Sequence, residues 1–125
     1  ELLNKHIKKL ENESNIEVKT LYEVNDGEIS SKEKTELAAC IGESLVNVQK
    51  HAKATKVIID IKITDKDRYI IIKDDGIGFD LEKVLKEDDY GIKMMQERCA
   101  KINWQLKIER KEAMTMLTFT PNKGV

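Results

Sequence analysis

Val57, Ile59, Ile61 and Ile63 alternate with Lys56, Asp60 and Lys62, and Thr64-Asp65-Lys66-Asp67 then separates this run from a second apolar one, Tyr69-Ile70-Ile71-Ile72. A period of two puts the branched side chains on one face of a strand and the charged ones on the other. Two such runs joined by a polar turn read as a hairpin with one face to bury. Helical patterns supply the cover. Residues 2–13 carry Leu3, Ile7 and Leu10 at helical spacing, and a longer helix from residue 31 to about 53 carries Leu37, Ile41, Leu45, Val48 and Ala52. Residues 91–102 place Ile92, Met95, Cys99 and Ile102 on one side. Further strands are predicted at 15–22, 105–110 and 115–120, with turns at Asn25-Asp26-Gly27 and Lys111-Glu112-Ala113. A short helix at 81–85 and an acidic connector, Lys86-Glu87-Asp88-Asp89-Tyr90, lie between. Mixed element order with neighbouring hairpins predicts an α/β (α+β) two-layer sandwich with a mixed, mostly antiparallel sheet.

The chain has 125 residues, enough for one domain and not two. A net charge of −1 gives no bulk electrostatic case for nucleic acid or an anionic membrane surface. No run approaches the roughly 18 apolar residues needed to cross a bilayer. The chain does not begin with Met, so it reads as a fragment of a longer protein. Cys40 and Cys99 lie far apart, outside any C-x-x-C. They are expected as a reduced, buried pair, which suits a cytoplasmic compartment.

Three places carry chemistry that the fold alone does not require. Lys73-Asp74-Asp75-Gly76-Ile77-Gly78-Phe79-Asp80 sets a carboxylate beside two glycines at the end of an apolar strand. Glycines there let the backbone approach a flat or charged ligand, and an Asp fixes an acceptor for an amino group such as adenine's. The same residues also make an ordinary Asp-Gly turn. On the long helix Glu43, Asn47, Lys50 and His51 fall on one side, with Leu45 and Val48 on the other. That is either a solvated face or a set suited to Mg²⁺, a metal-bound water and phosphate. Tyr90-Gly91-Ile92 begins a helix whose unpaired amides suit an anion, although glycine at a helix start needs no ligand.

The order Glu43-Ser44-Leu45-Val46-Asn47-Val48-Gln49-Lys50-His51-Ala52, then Asp74-Asp75-Gly76-Ile77-Gly78-Phe79, then Gly91-Ile92-Lys93-Met94-Met95-Gln96-Glu97-Arg98 resembles the ATP-binding catalytic domain of sensor histidine kinases. Within them it looks most like the nitrate-sensor group with its Asn-x-x-Lys-His-Ala box; the broader superfamily also holds gyrase, Hsp90 and MutL. The resemblance covers essentially the whole chain. It implies a Bergerat-type fold with ATP between the helices and a lid at residues 81–90. By the same resemblance Asn47 is the Mg²⁺ ligand, Glu43 acts through water, and Lys50 and His51 flank the phosphates. Asp74 accepts from the adenine amino group, and Gly76 and Gly78 shape its pocket. The amides of Gly91 and Ile92 close on phosphate, and Thr115 lines the pocket. Glu43, Asn47 and Lys50 form the catalytic set.

The resemblance also implies partners: a helical dimerisation domain bearing the phosphoacceptor histidine, a response regulator, and a homodimeric parent that could be anchored in a membrane. His51 lies in the Asn box, and His6 precedes Ile7-Lys8 rather than an acidic residue. The fragment alone is therefore expected to bind Mg-ATP without autophosphorylating. Some positions depart from the family pattern. Asp89 stands for a lid glycine and Ile92 for a leucine, Asn103-Trp104 for a Gly-Gly, and Met114 for the glycine before the threonine. The last three residues are expected to remove backbone freedom near the pocket. An anti-sigma-type serine kinase, or a nucleotide-binding regulatory module with a degenerate lid, are the other readings. No P-loop or dinucleotide glycine motif is present.

Overall fold

In the computed structural model, which describes residues 2–13, 15–49, 53–76 and 90–123, the elements follow the sequence pattern closely. Helix α1 (Leu2–Glu13) leads into strand β1 (Glu17–Val24), and a single 3-10 turn (Asp26–Glu28) precedes helix α2 (Ser31–Asn47). Strands β2 (Lys56–Ile63) and β3 (Arg68–Asp74) follow, then helix α3 (Tyr90–Lys101) and strands β4 (Trp104–Lys111) and β5 (Met114–Pro121). The predicted helix at 81–85 and the acidic connector through Asp89 lie outside the described residues.

The five strands are ordered β1-β2-β3-β5-β4. Among the described strands only β1 and β2 run parallel, as the α2 crossover between them requires; the remaining pairs are antiparallel. The predicted mixed, mostly antiparallel sheet is what forms. Val57, Ile59, Ile61 and Ile63 are all buried, as are Ile70, Ile72, Leu117 and Phe119 on the neighbouring strands. Leu37, Ile41 and Leu45 of α2 and Val48 just after it, with Ile92, Met95 and Cys99 of α3, complete the core. Strand β1 is an edge, and Leu21 and Tyr22 on it stay exposed.

Local chemistry explains the boundaries. Ser30 caps α2 by accepting from the Glu33 amide while the Glu33 carboxylate accepts from the Ser30 amide, a reciprocal capping box. The α-helical hydrogen bonding ends at Asn47. Residues 48–49 widen into a π turn, and Lys53 has a left-handed φ of 51°. Ala52 of the predicted stripe lies outside the described residues. Thr64 closes the β2–β3 turn, its Oγ1 accepting from the Lys66 and Asp67 amides. The last hairpin turns on two residues, Glu112 and Ala113, both at positive φ, with Lys111 paired to Met114 inside the ladder. That is the geometry of a type I′ turn made without glycine or asparagine.

Helices α2 and α3 pack side by side through a small-residue seam. Ser44 Oγ donates to the Cys40 carbonyl at 2.8 Å and lies 3.4 Å from Met95 Sδ. Cys40 Sγ faces the Met95 carbonyl at 3.8 Å, and both cysteines are free and buried, as expected. The neighbouring Cys99 thiol and burial push the Cys40 thiol up, so it stays protonated. Among the described residues no helix is long and apolar enough to cross a membrane.

Candidate functional site

The register of the sheet assembles one polar row at its end. Val57 on β2 pairs with Asp74 on β3, Asp74 with Thr115 on β5, and Thr115 with Arg110 on β4. Asp74 is in phase with Ile70 and Ile72, and Thr115 with Leu117 and Phe119, so both occupy the helix-facing side and are buried. The core pattern thus turns polar in its last layer. Asp74 accepts from the Gly76 amide at 2.9 Å, and Gly76 is buried beside it. Burial pushes the Asp74 carboxyl above the ordinary aspartate value; the Gly76 amide and the Arg110 charge pull against that, and Asp75 adds to it.

Asp75, its neighbour, has a separate job. Its carboxylate accepts from the Thr55 and Lys56 amides, both at 2.9 Å, and from the Thr55 hydroxyl at 2.7 Å. These bonds, led by the Thr55 hydroxyl, hold its carboxyl below the ordinary value. They fasten the loop after β3 to the start of β2, close behind the end of α2. The two adjacent carboxylates in Asp74-Asp75-Gly76 therefore divide into one that faces the helix layer and one that ties the loop.

Helix α2 brings Glu43 and Asn47, one turn apart and half-buried, to the same end. Contacts along the helix pair show why. Glu36 bonds Arg98 at 2.6 Å and Ser44 meets Met95, so α3 runs antiparallel to α2. Glu36, Cys40, Ser44 and Asn47 form one stripe. At 1.5 Å per residue, three residues beyond Ser44 bring Asn47 level with the first turn of α3, near Ile92. The α3 helix begins at Tyr90, as predicted, with Gly91 half-buried. The Ile92 side chain is buried in the core. Thr115 lies inside β5. Lys50, His51, Gly78 and lid residues 81–89 lie outside the described residues. Among the described residues no three His, Cys, Asp or Glu side chains gather to hold a metal ion.

Arg110 was not anticipated. Its guanidinium donates to Thr115 Oγ1 at 2.8 Å and to the Gly76 carbonyl at 3.0 Å. The signal was available: Arg110 is in phase with Trp104, Leu106 and Ile108, which places a cation on the core side of β4.

Two expectations about the altered glycines are corrected. Asn103-Trp104 is not near this row. Trp104 pairs with Pro121 at the far end of β5, six residues and about 20 Å from Thr115. Asn103 keeps a left-handed φ of 58°, a conformation asparagine tolerates, so the freedom expected of glycine is retained. Trp104 is buried, and its indole donates to Glu33 at 2.8 Å beneath the Arg68 guanidinium, 5.6 Å from the ring centroid. Met114 does adjoin Thr115, but it is regular strand; the left-handed residues of this hairpin are 112 and 113. A cavity of about 320 Å³ between the first turns of α2 and the ends of β1 and β2 also lies at the far end, lined mainly by apolar side chains such as Val24, Leu37, Ile41 and Ile63.

Comparisons with known proteins bear on the fold and on the chain's relatives. No family model matches the chain. Sensor histidine kinase YdfH of Bacillus subtilis is 42% identical over 71 residues, 55% of this chain and 17% of that protein. Sensor protein VraS of Staphylococcus aureus is 30% identical over 89 residues, 70% of this chain and 25% of that protein. The chain thus spans a quarter or less of the length of these curated relatives. Among solved structures, the ATP-binding domain of PrrB from Mycobacterium tuberculosis superposes with a TM-score of 0.74 at 16% identity, over 98% of this chain and 93% of that one. The blue-light-activated histidine kinase EL346 of Erythrobacter litoralis gives a TM-score of 0.77 at 14% identity, over 94% of this chain and 42% of that one. The chain has the fold of histidine-kinase ATP-binding domains, and its sequence relatives are sensor histidine kinases.

Proposed function

We propose that this chain is the ATP-binding catalytic domain of a sensor histidine kinase. In the full protein it would hold Mg-ATP and donate the γ-phosphoryl to a histidine on a separate helical dimerisation domain, for relay to a response regulator. The observation that carries this reading is the buried Asp74 at the end of β3, beside Gly76 and at the same end as Asn47 and Gly91. A buried carboxylate there has no structural need that a threonine would not meet, and burial acts against its charge. Similarity to the NarQ homolog of Haemophilus influenzae, 38% over 74 residues, supports the nitrate-sensor-like grouping.

The residues present fit the nucleotide in chemical kind. Asp74 would accept from the adenine amino group, with Gly76 and Gly78 letting the base approach the backbone. Asn47 offers an amide oxygen to Mg²⁺, which keeps several waters and substrate phosphates among its ligands and so needs few from protein. Glu43, one turn earlier, would orient one of those waters. Lys50 and His51 would meet phosphate charge, and the first amides of α3 at Gly91 and Ile92 would donate to phosphate oxygens. Mg²⁺ would supply charge neutralisation on the phosphates. The chain's own part in phosphoryl transfer is positioning and electrostatic support, which is most of what that reaction needs from a protein.

Calorimetric titration of ATP and ADP with and without Mg²⁺ tests this reading. Saturable binding that tightens with Mg²⁺ is expected, with no acid-labile phosphoramidate formed on the isolated chain. Undetectable binding at millimolar nucleotide would point instead to a regulatory module that has lost its ligand.

A further inference from the structure

The Arg110 guanidinium gathers three acceptors from separate stretches of chain: Thr115 Oγ1 in β5 at 2.8 Å, the Gly76 carbonyl after β3 at 3.0 Å, and the Ala113 carbonyl in the last turn at 3.5 Å. Gly76 is held from both sides, since its amide donates to Asp74 while its carbonyl accepts from Arg110. We infer that Arg110 is a positioning residue for the proposed adenine pocket, clamping the Gly76 loop to the β4–β5 hairpin and setting a fixed positive charge behind Asp74. The inference rests on the reading of Asp74 as the adenine acceptor.

Geometry makes arginine suited to this place. A planar fork can reach a hydroxyl and two carbonyls on different segments at once, whereas the ammonium of a lysine is a compact point charge. None of the three acceptors is a carboxylate, so among the described residues the guanidinium charge is not consumed in an ion pair and remains to act on Asp74. Among the described residues, the other groups at this end do not duplicate it. The cross-strand neighbours of Asp74, Val57 and Thr115, carry no charge. Asp75 on its own loop is acidic, α2 contributes Glu43, α3 carries Lys93 on its exposed side, and Lys56 at the start of β2 is exposed. Arg110 opposes the effect of burial and of Asp75, keeping Asp74 an ionised acceptor at lower pH than it would otherwise be.

Carboxyl-carbon NMR titration of Asp74 in the free protein, paired with Mg-ATP titrations from pH 5 to 8, tests this in wild type, Arg110→Met and Arg110→Lys. In Arg110→Met the Asp74 midpoint should rise and Mg-ATP affinity fall about tenfold at pH 7, with a larger loss at pH 6. Arg110→Lys should restore the midpoint but only part of the affinity, because one ammonium does not bridge three acceptors. An unchanged midpoint together with affinity within about twofold of wild type in Arg110→Met would overturn the inference. If wild type itself binds no nucleotide, the adenine reading fails, and the midpoint and Gly76 amide exchange still decide: both altered supports Arg110 as the clamp, both unchanged refutes it. Should Arg110→Met not fold, Arg110→Lys and Thr115→Val carry the same test. Faster Gly76 amide exchange in Thr115→Val supports the clamp, and exchange as in wild type counts against it.

Discussion

The two ends of the sheet are built from similar parts: an arginine, a neutral hydrogen-bonding partner and a carboxylate. They use the carboxylate in opposite ways. At the far end Glu33 is spent on structure: one oxygen accepts from the Ser30 amide and the other from Arg68 and Trp104, both at 2.8 Å. Burial would raise its carboxyl, but the Ser30 amide, the indole and Arg68 together hold it below the ordinary value. At the other end Arg110 bonds neutral oxygens instead of the carboxylate, and burial leaves Asp74 above the ordinary value. A carboxylate pulled down by its partners fastens a fold; one held charged against burial is arranged for something else. The second kind is found here at the end where Asn47 and Gly91 also converge.

The largest contrast should appear on Asp74→Asn. Reversing the acceptor to a mixed amide should weaken Mg-ATP at least about 100-fold, to loss of detectable binding in a calorimetric titration. Stability should hold or rise. A carboxyl raised in the folded state lowers stability as pH climbs from the unfolded value through the folded one, and the amide removes that penalty at neutral pH. Glu33→Ala should do the reverse. It removes a helix cap, strands the Trp104 indole and leaves Arg68 unpaired, costing about 3 kcal/mol in urea unfolding with nucleotide affinity of the folded protein within about twofold. If Glu33→Ala loses nucleotide and keeps its stability, the two ends have been assigned backwards.

Smaller effects sharpen the division. Asn47→Ala should remove the magnesium-dependent part of ATP affinity, about tenfold, while leaving any metal-free binding unchanged. Asp75→Asn should cost about 1 kcal/mol, because its partners are solvent-exposed and screened. Its carboxyl is lowered in the folded state, so that contribution is present above the ordinary aspartate value and lost as pH falls through the folded one; the difference between variant and wild type should vanish in strong acid. The double change Glu112→Asn and Ala113→Gly relieves two left-handed residues and should add about 1 kcal/mol of stability without touching nucleotide binding.

How far this was legible in the sequence depended on periodicity. The alternation from Val57 to Ile63 and the heptad-like spacing of Leu37, Ile41, Leu45 and Val48 fixed the layers, because each is a repeated signal. The ends of elements were less legible. Nothing in Val48-Gln49 marks the π turn and nothing marks the left-handed Lys53, and Glu112-Ala113 lacks the glycine that normally announces a type I′ turn. Asp74, Asn47 and Gly91 came from their residue types in context, but their convergence needed the sheet register and the antiparallel seam. Arg110 escaped because a lone arginine on a strand resembles any solvated cation until Thr115 and Gly76 are beside it. Trp104 was misplaced for a related reason: neighbours in a motif need not be neighbours in space, and β5 carries the chain about 20 Å from one end to the other.

The most direct test of a ligand site at the Asp74 end is an amide chemical-shift map of the labelled chain titrated with Mg-ATP. Shifts should concentrate at Asn47, Asp74, Gly76, Gly91 and Thr115, with Glu33, Arg68 and Trp104 unmoved. No shifts at millimolar Mg-ATP, or shifts centred on Trp104 and the cavity beside α2, would contradict it.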